Sequence, residues 1–162
     1  MIPRRYFTRL PVAAAVSAAV AAAADDVRPV RHVRGGPHQI EGSWQTLMTF
    51  NGTPPAPLPK SFFVLETFLS EGECISSPAL PFTTTAHGSW DNADDGKFKT
   101  RTLLIVLPQV LGVAVIVEIK ESITLDSSRE KYTGTFEATF TPETGSAFTL
   151  MGVPTGSRIP AP

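Results

Sequence analysis

The stretch "VAVIVEIKESITL" (113–125) alternates between two kinds of side chain. Val113, Val115, Val117, Ile119, Ile123 and Leu125 fall in one row, and Ala114, Ile116, Glu118, Lys120, Ser122 and Thr124 in the other. Such a period of two is the mark of a half-buried β-strand. One residue breaks the pattern, because Glu121 stands in the apolar row. The same alternation predicts seven more strands. They are "GSWQTLMTF" (42–50), "SFFVLETFL" (61–69), a short strand around Cys74 and Ile75, "AHGSW" (86–90), "KFKTRTLLIV" (97–106), "KYTGTFEATFT" (131–141) and "AFTLMGV" (147–153). No amphipathic helical period competes with them after the first residues. Short, regularly spaced strands with turn signals between them predict an all-β sandwich or barrel.

The connections separate those two architectures. Strands one, three and five are followed by long or Pro-containing segments, "NGTPPAPLPK", "SSPALPFTTT" and "LPQVLG". Strands two, four and six are followed by charged, turn-like ones, "SEGE", "DNADDG" and "DSSREK". In an up-and-down barrel, odd and even connections lie at opposite ends, so this contrast predicts an antiparallel barrel of about eight strands with one open end and one tight end. A barrel of that size has room for its own side chains or for one small ligand.

The run "LLIVLPQVLGVAVIV" is interrupted by Pro108 and Gly112, and both halves alternate, so a hairpin explains it better than a membrane span. No stable membrane insertion is expected. The second strand is apolar on both rows, and "TLLIV" places further apolar side chains outside the barrel. Such a surface marks an interface between copies of the chain, or a face covered by the linker or the long loops.

Composition adds the setting. "MIPRRYFTRL" is basic, an Ala-rich run follows, and small residues precede Asp25, which together read as an export signal over residues 1–24. "RRYFTR" resembles the twin-arginine export motif, with Arg4 and Arg5 as the pair, Phe7 as the following aromatic and Arg9 as the trailing basic residue; an ordinary secretory signal or an organelle transit peptide are the alternatives. Cleavage would leave 11 basic against 15 acidic residues, and an acidic chain without a basic cluster is not expected to bind nucleic acid. Residues 25–39 carry Pro and Gly without periodicity and read as a flexible linker, leaving 40–162 as the barrel domain. Cys74 is the only cysteine, so no intrachain disulfide and no multi-cysteine metal site can form.

Gly42-Ser43-Trp44 at the start of the first strand resembles the Gly-x-Trp signature of lipocalins, and Arg158 after the last strand resembles the arginine that packs across that tryptophan. The resemblance implies a calycin-type barrel whose floor is built from Gly42, Trp44 and Arg158, with cation–π stacking at the tight end. The lipocalin Thr-Asp-Tyr turn is absent and "PTGSRIPAP" leaves no room for the long C-terminal helix, so a smaller calycin-like barrel or an allene-oxide-cyclase-like barrel is the nearer likeness. The latter implies a cofactor-free cyclase or isomerase as an alternative function.

Motifs for other chemistry are missing. "TGSRI" and "EGSWQ" lack a Gly-x-Ser-x-Gly elbow, no phosphate-binding Gly-rich loop occurs, and "DNADDG" has Ala93 where a calcium loop needs a ligand. No metal and no cofactor is expected. The reading is an exported barrel that binds a small hydrophobic or amphipathic molecule; the alternatives are the cyclase and a structural domain with a filled core. The residues expected to line a cavity are Phe50, Trp90, Tyr132 and Phe136, each also a core residue. Glu121 is expected either as the polar anchor below them or as half of an ion pair. One register of the fifth strand sets Lys99 or Arg101 beside Glu121, and Arg101 is the candidate ligand contact in that case; the register shifted by one sets Phe98, Thr100 and Thr102 there. Arg158 is a third candidate partner, and a bulge that turns Glu121 out is the remaining outcome.

Overall fold

Eight antiparallel strands close on themselves in the computed structural model, in the simple order β1 to β8. The structure describes residues 39–161; the export signal expected over residues 1–24, the expected linker up to residue 38, and His32 and His38 lie outside them. The strands are β1 (Gly42–Phe50), β2 (Ser61–Phe68), β3 (Glu73–Pro78), β4 (Ala86–Asp94), β5 (Lys97–Val106), β6 (Val115–Leu125), β7 (Lys131–Pro142) and β8 (Phe148–Arg158). A single helical turn, α1 (Pro108–Leu111), joins β5 to β6 and stops at Gly112 in the left-handed region, φ 73°. The architecture is all-β, up-and-down and compatible with a calycin-like fold.

Most strands bury alternate residues, as their sequences require. β5 buries Phe98, Thr100, Thr102, Leu104 and Val106, and β6 buries Val115, Val117, Glu121, Ile123 and Leu125. The run that could have been a membrane span is the β5–α1–β6 hairpin, and no helix among the described residues is long and apolar enough to cross a membrane.

Even-numbered connections are tight, as at Gly72 (φ 87°) and Gly96 (φ 67°), where positive φ suits glycine. The first, third and fifth connections are longer, and the first and third bring Leu58, Leu80 and Phe82 over the open end. β8 departs from its expected end at Val153. It continues to Arg158, and its inward row of Gly152, Pro154 and Gly156 carries almost no side chain. That bare row makes room for two rings from β7. A Cβ at Gly152 would come within 2.3 Å of the Phe136 ring, and one at Gly156 within 2.1 Å of the Tyr132 ring.

Two apolar layers fill the interior. The open-end layer holds Met48, Phe50, Val64, Leu104, Val117, Phe136 and Phe140 among others, and the tight-end layer holds Ile40, Trp44, Phe68, Cys74, Trp90, Phe98, Ile123, Leu125 and Tyr132. The outer surface keeps the apolar rows noted in the sequence, with Phe63, Leu65, Leu103 and Ile105 exposed.

Candidate functional site: a buried acid pair beneath an apolar pocket

The tight end is closed by a stacked pair. Trp44 and Arg158 are direct partners in the β1–β8 ladder, and the guanidinium carbon lies 4.3 Å from the centroid of the indole. Arg158 also donates Nη2 to the Gln39 carbonyl at 2.6 Å, Nη1 to the Glu41 carbonyl, and Nε to the Arg129 carbonyl at 3.1 Å. Trp44 donates its Nε1 to the Ile40 carbonyl at 2.8 Å. Gly42 has φ 113°, a backbone that side-chain-bearing residues rarely adopt, and a Cβ there would meet Arg158 Nη1 at 3.0 Å, so the glycine leaves space for the guanidinium.

Between the two apolar layers lie buried polar residues: Thr46, Glu66, Ser76, Thr100, Thr102 and Glu121. Glu66 accepts from Thr46 at 2.5 Å, from Ser76 at 3.2 Å and from the Tyr132 hydroxyl. Tyr132 and Thr46 are themselves 2.6 Å apart, so three hydroxyls surround this carboxyl. Glu121 is less well served. Thr100 Oγ1 donates to its Oε2 at 2.9 Å, while Oε1 is buried without a hydrogen-bond partner.

Burying a carboxyl disfavours its charged form. That desolvation raises Glu66 above the ordinary carboxylate range, against the opposing effect of its three hydroxyl donors. It raises Glu121 further, because the Glu66 charge adds to it and only the Thr100 hydroxyl opposes. Burial thus favours the protonated form at both carboxyls of the pair. Burial, followed by the charges of Glu66 and Glu121, also pushes up the Cys74 thiol and the Tyr132 phenol. Cys74 is thus a poor nucleophile.

The register settles the surroundings of Glu121. Thr100 stands opposite it on β5 and Phe136 on β7, and both ladders run through it without a bulge. Arg101 falls on the outer face, where its Nε lies 2.5 Å from Glu118 Oε1, so it does not join the interior set. Lys99 is exposed, and Arg158 is engaged at the floor. Among the described residues Glu121 has no ion-pair partner, and no bulge turns it outward. Burial pushes Glu118 up, but hydrogen bonds from Lys120 and Arg101 outweigh it and hold that carboxyl below the usual range.

Of the expected lining residues, Phe50 and Phe136 border an apolar pocket at the open end, with Met48, Leu58, Leu80 and Ile119. Its cavity volume is about 30 Å³, close to the share of one water molecule. Trp90 and Tyr132 belong to the tight-end layer instead. Trp90 donates Nε1 to the Leu69 carbonyl at 2.9 Å and meets Phe68 and Phe98 edge-on. His87 is exposed. Glu121 adjoins the pocket in register: it follows Ile119 in the inward row of β6 and is the ladder partner of Phe136, and both of those residues line the pocket.

Sequence reading missed Glu66. The signal was present, since Phe62, Val64, Glu66 and Phe68 form an otherwise apolar row like that of Glu121. Among the described residues no group of three or more His, Cys, Asp or Glu could hold a metal ion. No protein-family model matches the sequence, and no curated protein is significantly similar to it.

Proposed function

We propose that this barrel binds a small, largely apolar molecule through its open end and directs the polar group of that molecule at Glu121. The observation that carries the reading is Glu121 Oε1, buried and unpartnered on the residue next in register to Ile119 and Phe136, which line the apolar pocket. An unsatisfied buried polar atom costs roughly 1–3 kcal/mol, and a ligand group that donates to it would recover that cost. Few polar groups in an otherwise apolar concavity is the usual make-up of a small-molecule site. The pocket must enlarge to admit an organic molecule, and Leu58 and Leu80 on the open-end loops are the side chains positioned to move. The Arg4–Arg5 pair and the Ala-rich run support export of the chain.

A second reading, a structural domain with a filled interior, is favoured by the pocket volume itself. The two are separated by titration with the neutral fluorescent probe N-phenyl-1-naphthylamine, comparing the parent with Ala138→Leu. Ala138 is buried in the pocket wall, so a leucine there fills the space. The binding reading expects saturable capture of one probe per chain by the parent and its loss in the variant. Equal, non-saturating fluorescence in both proteins favours the filled domain.

A further inference from the structure

Charge inside the barrel is unbalanced. Among the described residues the buried acidic side chains are Glu66 and Glu121, and no buried side chain is basic. The cations lie elsewhere. Arg101 and Lys120 are on the outer face with Glu118, Lys97 is near Asp94, and Arg158 is at the floor. Buried charges in proteins are paired, and an unpaired carboxyl stays neutral instead. A cation that entered from the pocket would find two carboxyls, one with a vacant acceptor, and no resident competitor.

Resting on the binding reading above, we infer that the ligand class is a small apolar amine, whose ammonium group pairs with Glu121 Oε1 while its hydrocarbon tail occupies the open-end pocket. The nitrogen reaches the carboxyl past the Phe136 ring, which lines the pocket and faces Glu121 across the ladder. An alcohol offers one donor and no charge, and a carboxylic acid brings a third carboxyl to a site that already has two.

The proton balance follows directly. Before binding, burial and the neighbouring Glu66 favour the protonated form of Glu121. The incoming ammonium makes the ionised carboxyl favourable, the Glu121 proton leaves to solvent, and an ammonium–carboxylate pair remains. Binding to the protonated form releases one proton per amine, so affinity rises with pH until the carboxyl of the free protein is itself ionised, and falls again once the free amine loses its proton. The other ionisable groups of the barrel interior are Glu66 on β2, Cys74 on β3 and Tyr132 on β7; the buried rows of β1, β4, β5 and β8 carry none. Thiol and phenol are held protonated by burial, so the release comes from the carboxyl pair.

Calorimetric titration of the full chain with n-hexylamine, 1-hexanol and hexanoic acid, at several pH values and in buffers of different ionisation enthalpy, tests this. The expected order is amine, then alcohol, then acid, with the amine ahead of the alcohol by about tenfold or more, or 1.4 kcal/mol. Amine binding should release protons, whereas 1-hexanol binding should release none. Glu121→Gln should bring the amine down to the alcohol. The comparison of ligands on the parent stands by itself if that variant folds poorly. Amine and alcohol affinities within about twofold of each other, or a preference for the acid, would overturn the amine class and leave apolar binding standing. Failure of all three, together with failure to capture N-phenyl-1-naphthylamine, would overturn the binding reading beneath it.

Discussion

The ring of Tyr132 lies over Gly156, its partner in the β7–β8 ladder, so closely that a methyl group there would come within 2.1 Å of it. This contact fixes the hydroxyl that Tyr132 donates to Glu66. Gly156→Ala should therefore cost about 1–3 kcal/mol through overpacking and displace the ring from Glu66. Gly52→Ala, where a Cβ meets nothing within 4 Å, should stay within about 0.5 kcal/mol of the parent. Urea unfolding of the two variants checks the contrast, and equal losses would contradict the packing role of Gly156.

A second expectation concerns pH. Glu66 and Glu121 are held above the ordinary carboxylate range in the folded chain. Their protonated forms favour the fold, so that contribution is complete below the unfolded carboxylate value of about 4.3 and is lost as pH rises through the folded values. Glu118 is shifted the other way, and its contribution is present at higher pH and lost as pH falls below the unfolded value. The Tm of the parent should fall as pH is raised from about 5 to 9. Glu121→Gln, which removes one of the two raised groups, should flatten that fall. A parent Tm that rises over the same interval would contradict the buried acid pair.

Trp44 and Arg158 give a third. Loss of a buried tryptophan costs about 3–5 kcal/mol, a large part of the stability of a domain this size. Arg158→Ala should cost less, roughly 1–3 kcal/mol, for the cation–π contact and the three carbonyl bonds it leaves. A double-mutant cycle in urea should give a coupling of about 0.5–2 kcal/mol; additive single losses would show that the two side chains act separately.

The proposed export of the chain is tested in cells. Replacing both Arg4 and Arg5 with lysine should stop twin-arginine export and retain the folded chain in the cytoplasm. Unchanged export of that variant would rule out the twin-arginine route while leaving another export route open.

Much of this molecule was legible before its structure. Strict alternation located the strands, and the contrast between "NGTPPAPLPK" and "SEGE" assigned the loops to opposite ends of a barrel. Glu121 stood out because its row is apolar on either side. Glu66 has the same setting but was hidden, because β2 is also apolar on its outer row at Phe63 and Leu65, so no row looked special. The neighbour of Glu121 was not decidable by pattern. A shift of one residue between β5 and β6 exchanges Thr100 for Arg101, and the turn α1, which fixes the register, is built from residues whose side chains do not state which strand pairing they impose. β8 looked shorter than it is because Pro154 and two glycines break a strand pattern. In the barrel those residues continue the strand with hardly any side chain and leave the interior to Phe136 and Tyr132.

The central claim, an apolar pocket that delivers a polar group to the carboxyl of Glu121, is tested most directly by carbon NMR of the glutamate carboxyls. The Glu121 signal is identified by its absence in Glu121→Gln. It should titrate above the ordinary carboxylate range, move when 1-hexanol is added to saturation, and be unaffected by 1-hexanol in Ala138→Leu. A Glu121 signal that titrates like an exposed carboxylate, or that 1-hexanol leaves unmoved in the parent, would contradict the account.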